Sequence, residues 1–298
     1  FRNMRRFFQK HGWSYLFILP SMTTFIVFVF VPVVWAFIIS FQKYSLRTGG
    51  KWMDPIYANY ETAFTQGGGL FITAIQNTIV YSIFTVTANI FLGLILSSLI
   101  QPLSHRLRTF FRAAYYLPAV TSALIIGMTW SFIYNAQWGF ANYILRLLGL
   151  PLVRWISDPD IALASVTASA ILTIPATAVV LYSAAMGSIP TEYYEAAQLD
   201  GANGIQKWWH ITVPLIKSTT LYLVVLYSIA SFEVFERIYI MVPSGVGNST
   251  QTIVTQIYNN GFRDLNFGVG AAQAFVLFVM IATVAAFQFK FLQSDVEY

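Results

Sequence analysis

The sequence of 298 residues contains no cysteine and few charged side chains, and each of these properties excludes certain classes of protein. Without cysteine the chain has no disulfide bonds, no thiolate metal ligands and no cysteine nucleophile. Charged residues make up 10% of the chain, whereas soluble domains carry about a quarter. Apolar residues make up 57%. Most of the surface of such a chain cannot face water, so the composition predicts an integral membrane protein.

The motifs of several catalytic classes are also missing. The segment Gly49-Gly50-Lys51-Trp52 lacks the earlier glycine and the hydroxyl residue of a phosphate-binding loop. If ATP powers this protein, hydrolysis must therefore take place on another polypeptide. No Ser/His/Asp arrangement, His-Glu-x-x-His motif or set of paired carboxylates supports an intramembrane enzyme, so we expect no catalytic residue.

Metal and nucleic-acid binding are not expected either. His11, His105 and His210 all fall in loop-like positions, which does not favour a metal site. The net charge of +5 comes without the basic stripe of a nucleic-acid-binding protein. Lys and Arg beside anionic lipid explain this charge better.

The apolar residues are gathered into long continuous runs. A spanning helix needs about 20 mostly apolar residues, and a barrel strand would show alternation over ~10 residues. The runs are continuous, so we predict an all-α fold with one transmembrane domain over residues 1–298. The first run is uncharged from Gly12 to Gln42, too long for the core of a cleavable signal. The six predicted spans are residues 15–41, 70–100, 110–134, 161–186, 215–242 and 268–291.

The positions of Lys and Arg predict the orientation. Ten lie on the side of the N-terminal tail and six on the other, which places both termini in the cytoplasm. The ten are Arg2, Arg5, Arg6, Lys10, Arg106, Arg108, Arg112, Lys207, Lys217 and Lys290, and the six are Lys43, Arg47, Lys51, Arg146, Arg154 and Arg263. Three longer loops, 42–69, 135–160 and 243–267, would then face outward and form an external platform.

The apolar runs contain prolines that interrupt helical hydrogen bonding. They are Pro20, Pro32, Pro118 and Pro175. A proline inside a spanning helix frees a carbonyl that a neighbouring helix or water must satisfy. Such breaks occur in plain helical bundles and in the moving or ligand-lining segments of transporters.

A polar, helix-prone segment, residues 190–214, separates the fourth and fifth spans and is predicted to be cytoplasmic. Thr191 is the predicted N-cap of a helix that Gly201 ends, and a second short helix over 205–210 stops before Pro214. Trp208 and Trp209 could anchor this segment on lipid headgroups. Alternatively, its alanines leave a thin helix face that a partner protein can approach. The spacing alone leaves both interpretations open.

This segment resembles the EAA loop of binding-protein-dependent ABC importers. The pattern is E-A-A, three residues, G, nine residues, I, one residue, L-P, and the chain reads Glu195-Ala196-Ala197, Gly201, Ile211 and Pro214 at those offsets. Val213 in place of leucine is the one difference. Asp200-Gly201-Ala202 resembles the fuller form found in sugar importers.

Further segments resemble the permease subunits of carbohydrate importers of the maltose type. One difference is Ser244-Gly245-Val246-Gly247, where the family usually has Gly-Gly-Pro. The resembling segments are Asn77-Thr78, the run from Phe111 to Pro118, Trp130, Gly139, Asn142, the run from Phe235 to Tyr239, the run from Gly247 to Thr250, and Phe267-Gly268.

The resemblance implies a type I importer permease that works with several partners. A second, similar permease would share the translocation pathway, two ATP-binding subunits would carry ATP and Mg²⁺, and an extracytoplasmic solute-binding protein would deliver sugar. The chain itself would hold no cofactor. The EAA helix of the family docks into a cleft of the ATPase, which implies docking roles here for Glu195, Ala196, Ala197, Asp200, Gly201, Ile211 and Pro214.

Charged side chains inside the predicted fifth span could form an ion pair or contact the substrate. Glu233 and Arg237 are four residues apart, which favours an ion pair along one helix. Glu233 could instead accept hydrogen bonds from sugar hydroxyls. Ligand contacts in maltose-type importers fall in the helices on either side of the EAA loop. This implies candidate substrate-binding residues Thr173, Thr177, Tyr227, Ser231, Phe232 and Glu233.

The sequence also bears on three alternatives to a sugar importer. A secondary carrier would need an ion-coupling site and usually an inverted repeat, and neither is visible in the sequence. An intramembrane enzyme lacks its motifs. An importer of the same class that carries an acidic saccharide or another polar solute remains an alternative, because the predicted outer loops have an excess of positive charge.

Overall fold

The computed structural model describes residues 15–242 and 246–292, and these are mostly helical. The arginines and the lysine of the N-terminal tail, His11, and Ser244 and Gly245 of the Ser244–Gly247 difference lie outside the described residues. The helices are α1 (Tyr15–Ile39), α2 (Ala58–Ile100), α3 (His105–Val120), α4 (Ala123–Ile133), α5 (Phe140–Leu147), α6 (Ala162–Leu172), α7 (Ala176–Gly187), α8 (Thr191–Leu199), α9 (Gly204–Leu215), α10 (Lys217–Phe232), α11 (Glu236–Met241), α12 (Ile253–Tyr258) and α13 (Phe267–Leu292).

The described residues form two compact units. The first contains the described residues up to Phe64 together with Ile257–Phe275, and the second contains Thr65–Gln256 together with the described residues from Val276 onward. The single transmembrane domain expected from the sequence stays a prediction.

Four described helices are long and apolar enough to cross a membrane, namely α1, α2, the α6–α7 pair and α13. Two further pairs reach this length only if a bend is allowed. The axes of α3 and α4 meet at 92°, and those of α9 and α10 at 66°. The described chain therefore has up to six candidate spans. The candidate spans overlap the six predicted apolar runs. The fifth run, 215–242, extends past the end of α10 at Phe232, and the fourth, 161–186, is interrupted between α6 and α7.

The first unit contains a β-hairpin, in part of the chain that was expected to be an outer loop. Strand β1 (Gln42–Ser45) pairs antiparallel with β2 (Gly49–Trp52), so that Gln42 faces Trp52 and Ser45 faces Gly49. The Asn59 amide donates hydrogen bonds to the carbonyls of Ser40 and Gln42, both at 2.9 Å. These two bonds fix the start of α2 against the start of the hairpin.

Helix α2 starts earlier than the predicted span and is interrupted by consecutive glycines. Gly67, Gly68 and Gly69 have φ values of 64°, 70° and 85°, in the left-handed region that glycine adopts most easily. The predicted boundary at Leu70 falls directly after this interruption. The prediction from the apolar run is therefore correct for the uninterrupted part of α2, but it does not include the polar first turns before Gln66.

The second unit has two clusters of buried apolar side chains. One joins α2, α6 and α11 through Tyr81, Val166, Ile238 and Met241. The other joins α2, α7 and α10 through Leu94, Tyr182 and Leu223. Both clusters hold helices from distant parts of the sequence around a common interior.

Glycine permits close contact between two of these helices. A Cβ atom built on Gly93 of α2 would lie 2.4 Å from the Cβ of Ala178 in α7, which is far closer than van der Waals contact. Small residues at helix crossings let backbones approach in membranes, where apolar burial against lipid gives little driving force. The helices α2 and α7 therefore depend on Gly93 for their packing.

Candidate solute cavity and candidate docking surface

The second unit contains an open cavity of about 240 Å³ that both polar and apolar side chains line. Residues of α2, α3, α10, α11 and the α6–α7 connection contribute to its wall. The lining residues are Tyr81, Thr85, Val86, Asn89, Pro118, Ala119, Ala170, Thr173, Ile174, Pro175, Ala176, Thr177, Tyr227, Ala230, Ser231 and Arg237.

The wall of the cavity includes a break in a candidate spanning helix. Between α6 and α7 the backbone leaves the helical region, with ψ of 118° at Thr173 and 73° at Pro175. The Thr173 hydroxyl donates to the Ser169 carbonyl (2.7 Å) and accepts from the Trp130 indole nitrogen (3.1 Å). Non-helical backbone at membrane depth is tolerated where it is buried or lines a water-filled cavity. The Pro175 interruption is therefore a lining segment in this chain.

Tyr227 connects α10 to the start of α7 across the same cavity. Its hydroxyl accepts a hydrogen bond from the backbone nitrogen of Ala178 at 3.1 Å. This nitrogen belongs to the first turn of α7, where N–H groups have no partner within the helix. The bond holds the Tyr227 phenol in the cavity wall and caps the broken helix.

The structure brings four of the six candidate substrate residues together. Thr173, Thr177, Tyr227 and Ser231 all line the cavity. Phe232 is buried and instead lines a separate apolar cleft of about 560 Å³ that α2, α10 and α13 form. Glu233 is exposed and is not among the lining residues. The assignment of these six residues to substrate binding stays a prediction.

The expected helical ion pair between Glu233 and Arg237 does not form. Helix α10 ends at Phe232, and α11 begins at Glu236 after a non-helical residue, Phe235, with φ of −139° and ψ of −62°. The spacing of four residues brings side chains together only on a continuous helix. The Arg237 guanidinium donates instead to the Ser169 hydroxyl at 3.1 Å.

Sequence reasoning missed several polar residues of the cavity. Tyr81, Thr85 and Asn89 lie along α2 at helical spacing and would have been found by following the polar face of that run. The Asn89 side-chain oxygen is inaccessible to solvent and has no hydrogen-bond partner within the described structure.

The segment 190–214 forms two helices joined at a tight turn. Gly201 ends α8 with φ of +81°, and the Ala202 nitrogen donates to the Ala197 carbonyl at 2.9 Å. Asn203 then starts α9 with reciprocal bonds, because its side chain accepts from the Gln206 nitrogen while its own nitrogen donates to the Gln206 side chain. The role of Gly201 at the end of the first helix is thus as expected.

Two details of this segment differ from the expectation. Pro190, and not Thr191, occupies the N-cap position of α8, and no side chain caps that helix. The second helix does not stop before Pro214, since α9 passes through a π-turn over Trp208–Thr212 and continues to Leu215. Proline has no N–H group and clashes with the preceding turn, and the wider π-turn accommodates it.

One side of this segment is fixed to the helical bundle. The Trp208 indole donates to the Ser98 hydroxyl of α2 at 2.8 Å. Within the segment, the Tyr194 hydroxyl is hydrogen-bonded to that of Thr212 at 2.9 Å and joins α8 to α9. Trp208 and Ile211 pack against the cluster around Tyr182. Trp208 is therefore an anchor to protein, and not to lipid headgroups as one interpretation held.

The other side of the segment is exposed. Leu199 and Ile205, on either side of the turn, are 90% and 72% exposed. Of the candidate docking residues, Glu195, Ala196, Asp200, Gly201 and Pro214 are exposed, whereas Ala197 and Ile211 are half-buried. A cleft of about 310 Å³ is lined by Ala197, Asp200, Gly201, Ala202, Gln206, Lys207, His210 and Ile211. An apolar, solvent-facing turn on a fixed base has the form of a docking surface.

A membrane-spanning bundle with a polar cavity and an exposed helical turn defines a membrane transport component. A family model described as "Binding-protein-dependent transport system inner membrane component" matches residues 89–297. The chain belongs to this family of ABC transporter permeases, so it is a transport component and not an enzyme.

Several known proteins are similar to the chain over nearly its whole length. The arabinooligosaccharides transport system permease protein AraP of Halalkalibacterium halodurans is 31% identical, over 92% of this chain and 85% of that protein. The sn-glycerol-3-phosphate transport system permease protein UgpA of Agrobacterium fabrum is 29% identical, over 95% and 96%. A chain of a bacterial ABC transporter that imports the acidic polysaccharide alginate has the same fold, with a TM-score of 0.85, 23% identity and coverage of 99% and 100%. The predicted importer permease fold is confirmed, as a mostly helical fold with four to six candidate spans in its described residues.

Proposed function

We propose that this chain is the permease subunit of a carbohydrate importer and that a separate ATPase drives it through α8 and the turn after it. Similarity to a permease for arabinooligosaccharides supports a saccharide as cargo. The polar cavity supports it as well, because hydroxyl and amide side chains match the hydrogen-bonding groups of sugars. The cytoplasmic ends and the inner-membrane location belong to the same proposal.

The exposed turn after α8 is the proposed contact site for the ATPase. The chain has no phosphate-binding loop of its own, so ATP and Mg²⁺ would bind to a pair of partner subunits. Glu195 and Leu199 lie one helical turn apart on α8 and face solvent. Trp208 holds the segment to the bundle through Ser98, and both Trp208 and Tyr194 pack against the apolar cluster of α7 and α10. Movement of a docked ATPase would reach α7 and α10 through these anchors, provided that the docked states differ in their contacts.

A second permease would complete the pathway, and a solute-binding protein would deliver the cargo from outside. The α1 helix supports the first of these partners, because its most apolar stretch has no buried residue in the single chain. Arg106, Arg108, Arg112, Lys207 and Lys217, in or beside the two loops that are predicted to be cytoplasmic, support the predicted orientation.

Co-purification tests the docking role. The double variant Glu195→Lys, Gly201→Asp is expected to lose the ATPase subunits during purification of the complex in detergent, because it reverses one charge and adds another at the exposed turn. Glu192→Lys is the matched control, since Glu192 is exposed on the same helix but lies outside the EAA pattern. Normal ATPase capture and normal transport by the double variant would show that the docking assignment is wrong.

A further inference from the structure

The cavity contains one cationic side chain and no acidic one. Arg237 is the only lysine or arginine among the lining residues, and no aspartate or glutamate is among them. The remaining polar groups of the wall are hydroxyls and an amide, contributed by Tyr81, Thr85, Asn89, Thr173, Thr177, Tyr227 and Ser231. The formal charge of the cavity wall is therefore positive.

Arg237 has no carboxylate partner among the described residues. The break after Phe232 separates Glu233 from it, and Glu233 and Glu236 are both exposed. A guanidinium group has five N–H donors, and the described structure engages Arg237 through one bond, to Ser169. The Ser169 hydroxyl in turn donates to the Val166 carbonyl, so α6 holds the arginine in place.

A half-buried guanidinium without an acidic partner is an unusual arrangement inside a folded protein. A charged side chain that is withdrawn from water is costly unless it is paired and hydrogen-bonded. An anionic group in the cavity would provide the missing partner. Both carboxylates and phosphates accept two parallel hydrogen bonds from a guanidinium group, so each fits this geometry.

We propose that the cavity selects a polyhydroxylated solute with an anionic group, and that Arg237 binds this group while the hydroxyl and amide side chains of the wall bind the solute hydroxyls. The anionic group is a carboxylate, as in a uronic acid oligosaccharide, or a phosphate ester. The proposal rests on the importer function proposed above and narrows its substrate class from saccharides in general to acidic ones.

The experiment compares matched pairs of solutes. The complete importer, with its partner subunits and solute-binding protein, is reconstituted in proteoliposomes that contain ATP. One pair is trigalacturonate and its neutral methyl ester, and the other is glycerol 3-phosphate and glycerol. Uptake is measured for the wild type and for Arg237→Gln, Arg237→Lys and Arg263→Gln. Arg263 is an exposed arginine outside the cavity and serves as the control for loss of a positive charge.

The wild type is expected to take up the anionic member of one pair at least 10-fold faster than its neutral counterpart. Loss of a charge-assisted hydrogen bond predicts a reduction of roughly 10- to 100-fold for Arg237→Gln. Arg237→Lys keeps the charge and should retain intermediate uptake, which separates loss of recognition from loss of folding. Arg263→Gln should behave as the wild type does. The pair that responds identifies the anionic group as carboxylate or phosphate.

Two results would overturn the inference. One is preference of the wild type for the neutral member of a pair, and the other is undiminished uptake of the anionic member by Arg237→Gln. Either would leave the importer function standing if uptake still required ATP. Uptake that proceeds without ATP would instead contradict the importer function itself.

Discussion

Asn142 shows how one buried amide organises a whole connecting segment. Its side-chain nitrogen donates to the carbonyls of Ala136 and Val153, both at 2.8 Å. Its side-chain oxygen accepts from the Val153 nitrogen at 3.1 Å and from the Trp155 indole at 3.0 Å. The side chain is fully buried, so every one of its hydrogen-bonding positions is used inside the protein.

Replacement of Asn142 by alanine should therefore destabilise the second unit. Several half-buried partners would lose their hydrogen bonds to a fully buried side chain, which predicts a loss of about 2–4 kcal/mol in the free energy of unfolding. Thermal unfolding of the purified protein in detergent measures the effect as a lower melting temperature. Gln137→Ala in the same segment is the control, because Gln137 is exposed. Equal melting temperatures for the two variants would contradict this role.

Single residues also show what the sequence could and could not predict. Asn77 and Thr78 were singled out by resemblance, and the structure gives their physical role: Asn77 donates to the carbonyls of Ser249 and Gln251, and Thr78 accepts from the Ile253 nitrogen. Arg237 was interpreted as half of an ion pair. A pairing rule for continuous helices fails where tertiary packing breaks the helix, and no local pattern marked that break.

At the level of helices, apolar runs predicted where spans lie but not where they bend. The 92° bend between α3 and α4 falls at Thr121 and Ser122, three residues after Pro118, and the α6–α7 break falls at Pro175. Pro20 and Pro32 lie within α1, which stays helical with a π-turn over Ile26–Phe30. The same residue type thus ends one helix and is accommodated in another. Hydrogen bonds from neighbouring helices decide between these outcomes, and a single sequence does not show them.

Packing between α2 and α7 gives a prediction at this scale. Gly93→Ala should destabilise the protein by roughly 1–3 kcal/mol, because the added methyl group would overlap Ala178 and force the two helices apart. Gly187→Ala is the matched control, since its Cβ would lie 3.7 Å from the nearest side-chain atom of Gln101. Melting temperature and yield in detergent compare the two. A Gly93→Ala protein as stable as the control would show that the helices do not need this contact.

For the whole molecule, one helix connects the cavity to the segment that contains the exposed turn. Helix α7 borders the cavity at its first residues and leads directly into the segment 190–214 at its end. Six candidate substrate residues were chosen by resemblance to a family, and four of them line this cavity. The sequence spacing alone did not show which side of α8 and α9 is exposed and which is anchored. Trp208 and Trp209 are adjacent residues of the same type, and only the structure shows that Trp208 contacts the bundle.

Site-specific cross-linking tests the central claim that an ATPase docks at this turn. The chain has no cysteine, so an introduced one is unique. Leu199→Cys, at a position 90% exposed, is expected to cross-link to an ATPase subunit in the purified importer. Leu46→Cys, 74% exposed in the β-hairpin, should not cross-link to it. Failure of Leu199→Cys to capture the ATPase in an active complex, or equal capture by Leu46→Cys, would contradict the account.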